Sequence, residues 1–241
     1  VLSTYAIKGL SSTDIAGLTD KQLEALTSVQ IAAIATTSIA GLTVAEYGAL
    51  SSTQIAAITS TQIGALSETL IESLTATQIE AMSKTQISGL TSTQVSDLAT
   101  AQIAAFSTSQ IAALSTQGIS GLTSTDVASL TTKQFAALTA TQMGALTAAA
   151  VSGLEVTRIA AMTTAQLDGL SSTAVGALSA TQIAALTTAQ MAALSTQGIN
   201  GFTSTQVSSL TTTQIAALSA TQISALSSNG GWNRSHRCHS N

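Results

Sequence analysis

Residues 178–199 read LSATQIAALTTAQMAALSTQGI. Leucine stands at 178, 186 and 194, and Ile183, Met191 and Ile199 each follow a leucine by five residues. Ser or Thr comes directly after each leucine, and Gln182 and Gln190 directly precede the next large apolar side chain. The period is eight. With the leucine numbered as position 1, it runs in both directions from Leu2 to Leu226 without insertion or deletion, 224 residues or 28 octads. Position 1 varies only to Ile34, Ile58, Met82, Phe106, Met162 and Phe202. Position 6 is always large and apolar, as at Ile15, Leu23, Tyr47, Val95, Phe135 and Met143. Position 2 is Ser or Thr except at Ala35, Ala99 and Glu155, and position 8 is Ala, Gly or Ser except at Asp97.

These preferences form one signal. Ser or Thr followed three residues later by Gln is a capping box: the hydroxyl accepts from a free N–H of the first helical turn, and the Gln reaches back to the cap's own N–H. Position 1 is then the residue before the cap and position 6 the fourth helical residue, the two sites of a hydrophobic staple. Every octad thus carries a helix start, and a new start arrives eight residues on. The helix must stop after about one and a half turns. Gly at position 8, as at Gly17, Gly41, Gly89, Gly121 and Gly153, is expected to help the chain turn as a C-terminal cap. A turn and a half of helix does not stand alone in water. The octads therefore stack, with positions 1 and 6 as a continuous core, a small residue at position 8 where backbones approach, and three or four octads to a coil.

The fold expected is an all-α solenoid of 28 short capped helices over residues 1–226, followed by a non-repeat tail, 227–241. A single long helix is rejected, because eight residues rotate through about 800° and the Leu/Ile stripe winds around the axis. A β-solenoid remains the alternative, although spacings of five and three put Leu and Ile on opposite faces of a strand. Two longer echoes occur. STQGI appears at Ser115 and Ser195, and Gly89, Gly121 and Gly153 recur at four octads. Duplication of larger blocks explains both, and four octads per turn would explain the second.

Only 7% of the 241 residues are charged, proline is absent, and the net charge is −4. An ordinary soluble domain carries about 25% charge. The negative balance gives nucleic acid no phosphate-binding surface. Mean hydropathy is +0.41, yet Ser, Thr or Gln interrupts every apolar run well short of the ~18 residues of a membrane span. The lone cysteine, Cys238, excludes a disulfide framework. The chain opens on Val1 with no hydrophobic leader, which reads as a processed or excised segment. Charged side chains fall at positions 3, 4, 5 or 7, as at Glu24, Glu46, Lys84, Asp126 and Arg158, apart from Glu155 at position 2 and Asp97 at position 8, and never at 1 or 6.

The repeat body has no His and no Cys, so no nucleophile–base pair is available there. Glu68 and Glu72, with Glu80 one octad later, are the nearest approach to a catalytic carboxylate pair, and they read as a solvated face. The tail holds His236, Cys238 and His239, but three ligands within four residues do not easily surround a zinc ion. Asn233-Arg234-Ser235 matches a glycosylation sequon, and Trp232 is a candidate cover for the last coil. No catalytic, cofactor-binding or metal residue is assigned, and the chain reads as a non-enzyme.

The octad L-[ST]-x-[TA]-Q-[IV]-A-A resembles the low-complexity tracts, of the form LTTAQIAAL or LTPEQIAAL, of very large bacterial secreted or surface proteins of adhesin-like type. The resemblance covers residues 2–226. It implies an extracellular or cell-surface structural role. A more distant similarity is to ice-nucleation proteins, whose octapeptide-like units also use STQ, followed there by Thr and here by Ile or Val. The function expected is a subunit or segment of a filament or stalk that associates head to tail through open coils. The alternatives are an adhesin spacer or an ice-binding surface of hydroxyls. The octad map has a direct check. Ile183→Asp, at position 6, should cost about 3 kcal/mol or more by burying an unpaired charge, while Thr188→Asp, at position 3, should leave the melting temperature nearly unchanged; equal melting of the two variants refutes the map.

Overall fold

A computed structural model describes residues 3–228; the tail residues Trp232, Asn233, His236, Cys238 and His239 lie outside them. Among the described residues there are 28 helices, one per octad, from α1 (Thr4–Lys8) to α28 (Ala220–Ser228), and no strand. All but α28 are four to six residues long. The β-solenoid alternative is thereby set aside. The start signal wins locally at each octad: the cap residue is extended, as at Thr59 with φ −77° and ψ 163°, and the helix begins directly after it. Two successive extended residues, Leu66 and Ser67, then separate α8 (Ser60–Ala65) from α9 (Glu68–Ser73). The chain changes direction at each such pair.

The chain divides into two compact units, Val1–Gly121 and Leu122–Asn241. Each is a regular succession of short helices in which helix n packs on helix n+3. In the first unit α1 packs on α4 (Ser28–Ala33), α4 on α7 (Ser52–Ala57), and α12 (Ser92–Asp97) on α15 (Thr116–Ser120). In the second, α16 (Ser124–Ser129) packs on α19 (Ala148–Ser152), and α19 on α22 (Ser172–Gly176). Positions 1 and 6 form the core of each unit: Ile63, Ile103, Ile159 and Ile183 are at most 1% exposed, and Leu90, Leu122, Leu170 and Leu186 at most 3%. Burying each such side chain is worth about 1.5–3 kcal/mol, which offsets what a helix this short lacks.

Glycine at position 8 ends helices and admits close backbone approach, as expected, but without a left-handed conformation. Gly17 and Gly121 cap their helices with negative φ, −98° and −81°, and no glycine of the described residues lies in the left-handed region. Gly41, Gly89, Gly121, Gly153, Gly169 and Gly201 also admit close contact with the backbone of a distant octad. A Cβ on Gly89 would lie 2.7 Å from Ser60 Cα, and one on Gly121 2.8 Å from Ser92 Cα; both partners sit 29 residues back. Reciprocally, a Cβ on Gly64 would meet the Gly89 carbonyl at 2.8 Å. Gly89 and Gly121 thus contact Ser60 and Ser92 rather than each other, so their four-octad recurrence is not the stacking period. Gly89→Ala should destabilise by about 1–3 kcal/mol through overpacking. Gly48→Ala, in α6 (Val44–Ala49), should be neutral or stabilising by up to about 1 kcal/mol, because nothing lies within 4 Å of that Cβ. Denaturant melts of the two variants check the contrast.

Candidate functional site

The repeated polar residue of the octad is Gln at position 5, and it is buried. Gln62 is 1% exposed and Gln94 2%. Two sets of bonds converge on the Gln62 amide. Its Oε1 accepts from the Thr59 backbone N–H at 2.9 Å, while its own backbone N–H donates to Thr59 Oγ1 at 3.3 Å, completing the capping box. Its Nε2 then donates to the Ile31 and Ile34 carbonyls, both at 2.8 Å, which lie 31 and 28 residues earlier. Those carbonyls lie at the end of α4: the Ile31 carbonyl also accepts the Ile34 backbone N–H at 3.2 Å, and Ile34 is the residue just after the helix, where intrahelical donors run out.

The same arrangement recurs through both units. Gln94 reaches Ile63 and Leu66, Gln102 reaches Ile71 and Leu74, and Gln110 reaches Ile79 and Met82. In the second unit Gln166 reaches Phe135 and Leu138, and Gln214 reaches Ile183 and Leu186. An offset of 28 residues is three and a half octads, between the three and four expected. The start of one helix therefore lies over the end of the fourth helix before it, and its end over the start of the third.

Sequence reading assigned this Gln a capping role and missed its burial and its second set of bonds. A signal was present. Glutamate completes a capping box as well as glutamine does, yet 17 octads carry Gln at position 5 and one, Glu46, carries Glu. A carboxylate accepts and cannot donate, so the bias shows that donors are needed. Shorter residues serve in part: Ser38 Oγ donates to the Leu10 carbonyl, 28 residues earlier. At Gly118 the backbone comes down instead, so that a Cβ would lie 3.2 Å from the Leu90 carbonyl. At Asp14 the Ser11 N–H and hydroxyl both donate to Oδ2 at 2.7 Å, and they hold its carboxyl below the usual value.

The remaining candidates are dispersed. Glu68, Glu72 and Glu80 are exposed. Among the described residues no group of three His, Cys, Asp or Glu side chains is placed to hold a metal ion, and no helix is long and apolar enough to cross a membrane. The outer surface carries paired hydroxyls from positions 2 and 4: Ser51 with Thr53 at 3.0 Å, Thr59 with Thr61 at 3.1 Å, and Thr211 with Thr213 at 3.0 Å.

Gln62→Glu keeps the cap acceptor but removes both donors from the Ile31 and Ile34 carbonyls. It should destabilise by about 2 kcal/mol or more at neutral pH. Gln22→Glu should change stability by no more than about 0.5 kcal/mol, because Gln22 is exposed and serves only its own cap at Thr19. Equal stability losses would remove the second role of the amide.

No curated protein and no solved structure matches this chain. The ALTTAQ repeat family matches it at residues 31–68 and 159–196, one region in each unit and sixteen octads apart. Both matched regions open on a buried position-6 isoleucine, Ile31 and Ile159, and carry the octad in the same register. In those two regions the chain is built of ALTTAQ repeats.

Proposed function

We propose that this chain is a structural protein, a segment of an extracellular or cell-surface filament or stalk that extends by end-to-end association of copies. The observation that carries the reading is the polarity of the glutamine ladder. Each layer offers amide donors to the layer before it and carbonyl acceptors to the layer after it, as Gln94 does toward Ile63 and Leu66. Two surfaces related in this way are complementary without being identical, and repeated association through such surfaces builds an open polymer rather than a closed dimer. The polar side chains act on the protein's own backbone, and the reading gives the chain no catalytic or cofactor role. The surface is poor in charge, with 18 charged residues of 241, so little repulsion opposes stacking. The extracellular placement rests on the likeness of the octad to tracts in large bacterial surface proteins.

A second reading, a hydroxyl-presenting spacer or ice-binding surface, draws on the paired Ser and Thr hydroxyls at positions 2 and 4. Electron microscopy of the purified chain, with sedimentation velocity over rising concentration, separates the two. Thin filaments, or species that lengthen with concentration, are expected. A monomer at every concentration overturns the filament, and thermal hysteresis in that monomer would favour the second reading.

A further inference from the structure

Among the described residues the core is closed at every layer except the first and the last. Position 1 is buried from Ile34 to Leu226, yet Leu10, Leu18 and Leu26 are only half-buried. Position 6 shows the converse. It is buried from Ile7 to Ile199, with Ile55 the one half-buried exception, while Val207, Ile215 and Ile223 are half-buried. Within the stack, therefore, position 1 faces the layer before it and position 6 the layer after it. Each partly open set is three octads long, which matches the packing of helix n on helix n+3. The first layer presents the half of the core that the last layer would cover, and the last layer presents the other half.

The polar groups follow the same division. Gln22 Oε1 accepts from the Thr19 N–H at 2.9 Å and from the Thr19 hydroxyl at 3.0 Å, as an internal glutamine does at its own cap, but Gln22 is exposed and its Nε2 meets no acceptor among the described residues. A pocket of about 340 Å³ lies beside it, among Ile7, Leu10, Leu18 and Leu26. Gly9 and Gly17 stand at position 8, where a Cβ would meet only carbonyls of its own helix, at 3.4 and 3.3 Å; Gly41, Gly89 and Gly121 instead have the backbone of a residue 29 positions back against them. At the last layer the ladder ends with Gln222, whose amide reaches Met191 and Leu194. The Ile215 carbonyl accepts the Leu218 N–H at 3.1 Å, and among the described residues no glutamine amide reaches it or the Leu218 carbonyl. Residues 169–228 contain no Asp, Glu, Lys or Arg, so this face brings no charge to be buried.

We propose that the first layer of one copy, with Leu10, Leu18, Leu26 and Gln22, docks on the last layer of a second copy, with Val207, Ile215 and Ile223, and so continues across the joint the interface that each layer makes inside the chain. The inference rests on the filament reading and names its contact surfaces: the first unit of one copy meets the second unit of the other. With α1 of one copy over α26 (Ser204–Ser209) of the other, the three-helix step of the stack is kept, and the internal offsets place Gln22 Nε2 on the Ile215 and Leu218 carbonyls of the second copy. Asp14, at position 5 of the docking face, is no obstacle. Asp126 holds the same position inside the stack at 4% exposure, its Oδ2 accepting from the Thr123 N–H and hydroxyl as Asp14 Oδ2 does from those of Ser11. The two faces are complementary and unlike, so a copy with one occupied face still offers the other.

Sedimentation velocity of the full chain and of three variants tests it. Leu18→Glu spoils the first face and Ile215→Glu the last. Each alone should stay monomeric at concentrations where the parent associates, and an equimolar mixture of the two should form a one-to-one complex through the single intact pair of faces. Gln22→Glu keeps the cap at Thr19 and should melt as the dilute parent does, while associating about tenfold or more weakly; it decides the matter even where a charge at Leu18 or Ile215 unfolds the chain. Association of Gln22→Glu equal to that of the parent overturns the interface and leaves the filament reading to another surface. Association lost in Leu18→Glu but intact in Ile215→Glu means that first layers pair with each other, and overturns it too. A parent that is monomeric at every concentration overturns both the interface and the filament.

Discussion

A helix of five or six residues leaves most of its backbone groups without partners, and the glutamine at position 5 resolves that deficit at two helices together. Its carbonyl oxygen closes the start of its own helix, and its amide nitrogen closes the end of a helix one layer away. Gln62 does this between Thr59 and the Ile31 and Ile34 carbonyls. All four hydrogen-bonding capacities of the amide are used in that one residue, the Thr59 hydroxyl also donating to Oε1 at 3.1 Å. Buried polar groups are costly unless they are satisfied, and a fully satisfied network specifies one register. The apolar positions drive the stack together, and the amide determines which carbonyls it meets.

Neighbouring layers hold each other in place, and no octad is stable alone. Proteins of this kind draw their stability from the sum of nearest-neighbour interfaces. The stack tolerates local departures because each layer carries several contacts. Ala150 and Ala174 stand at position 5 with no amide at all and are fully buried, close-packed against the layer. Ser38 covers one carbonyl where glutamine would cover two. Glycines at position 8 let backbone meet backbone where no side chain would fit, as between Gly89 and Ser60. At Arg158 the exchange leaves one buried nitrogen, Nη1, without a partner.

A stack whose polar side chains are committed to its own backbone suits a role carried by length and surface. Its layers are interchangeable in their contacts, and the ALTTAQ octads of both units share one register. The proposed filament extends this internal rule to contacts between copies.

Much of this was legible in the octad. Leu at position 1, Ile at position 6 and Ser or Thr at position 2 announce a core and a capped helix through local chemistry alone, since a capping box spans four residues and a staple five. The small residue at position 8 likewise signals close approach. The burial of Gln62 was not legible, because its second partners, Ile31 and Ile34, are 31 and 28 residues away. A local pattern does not specify the offset between layers. That offset of three and a half octads follows from how short helices of this length pack over one another. It also decides that Gly89 meets Ser60, and that Arg158 lies over Phe135 with one donor left unpaired. Spacing along the chain determines each helix, while contacts between distant octads determine the partners of its ends.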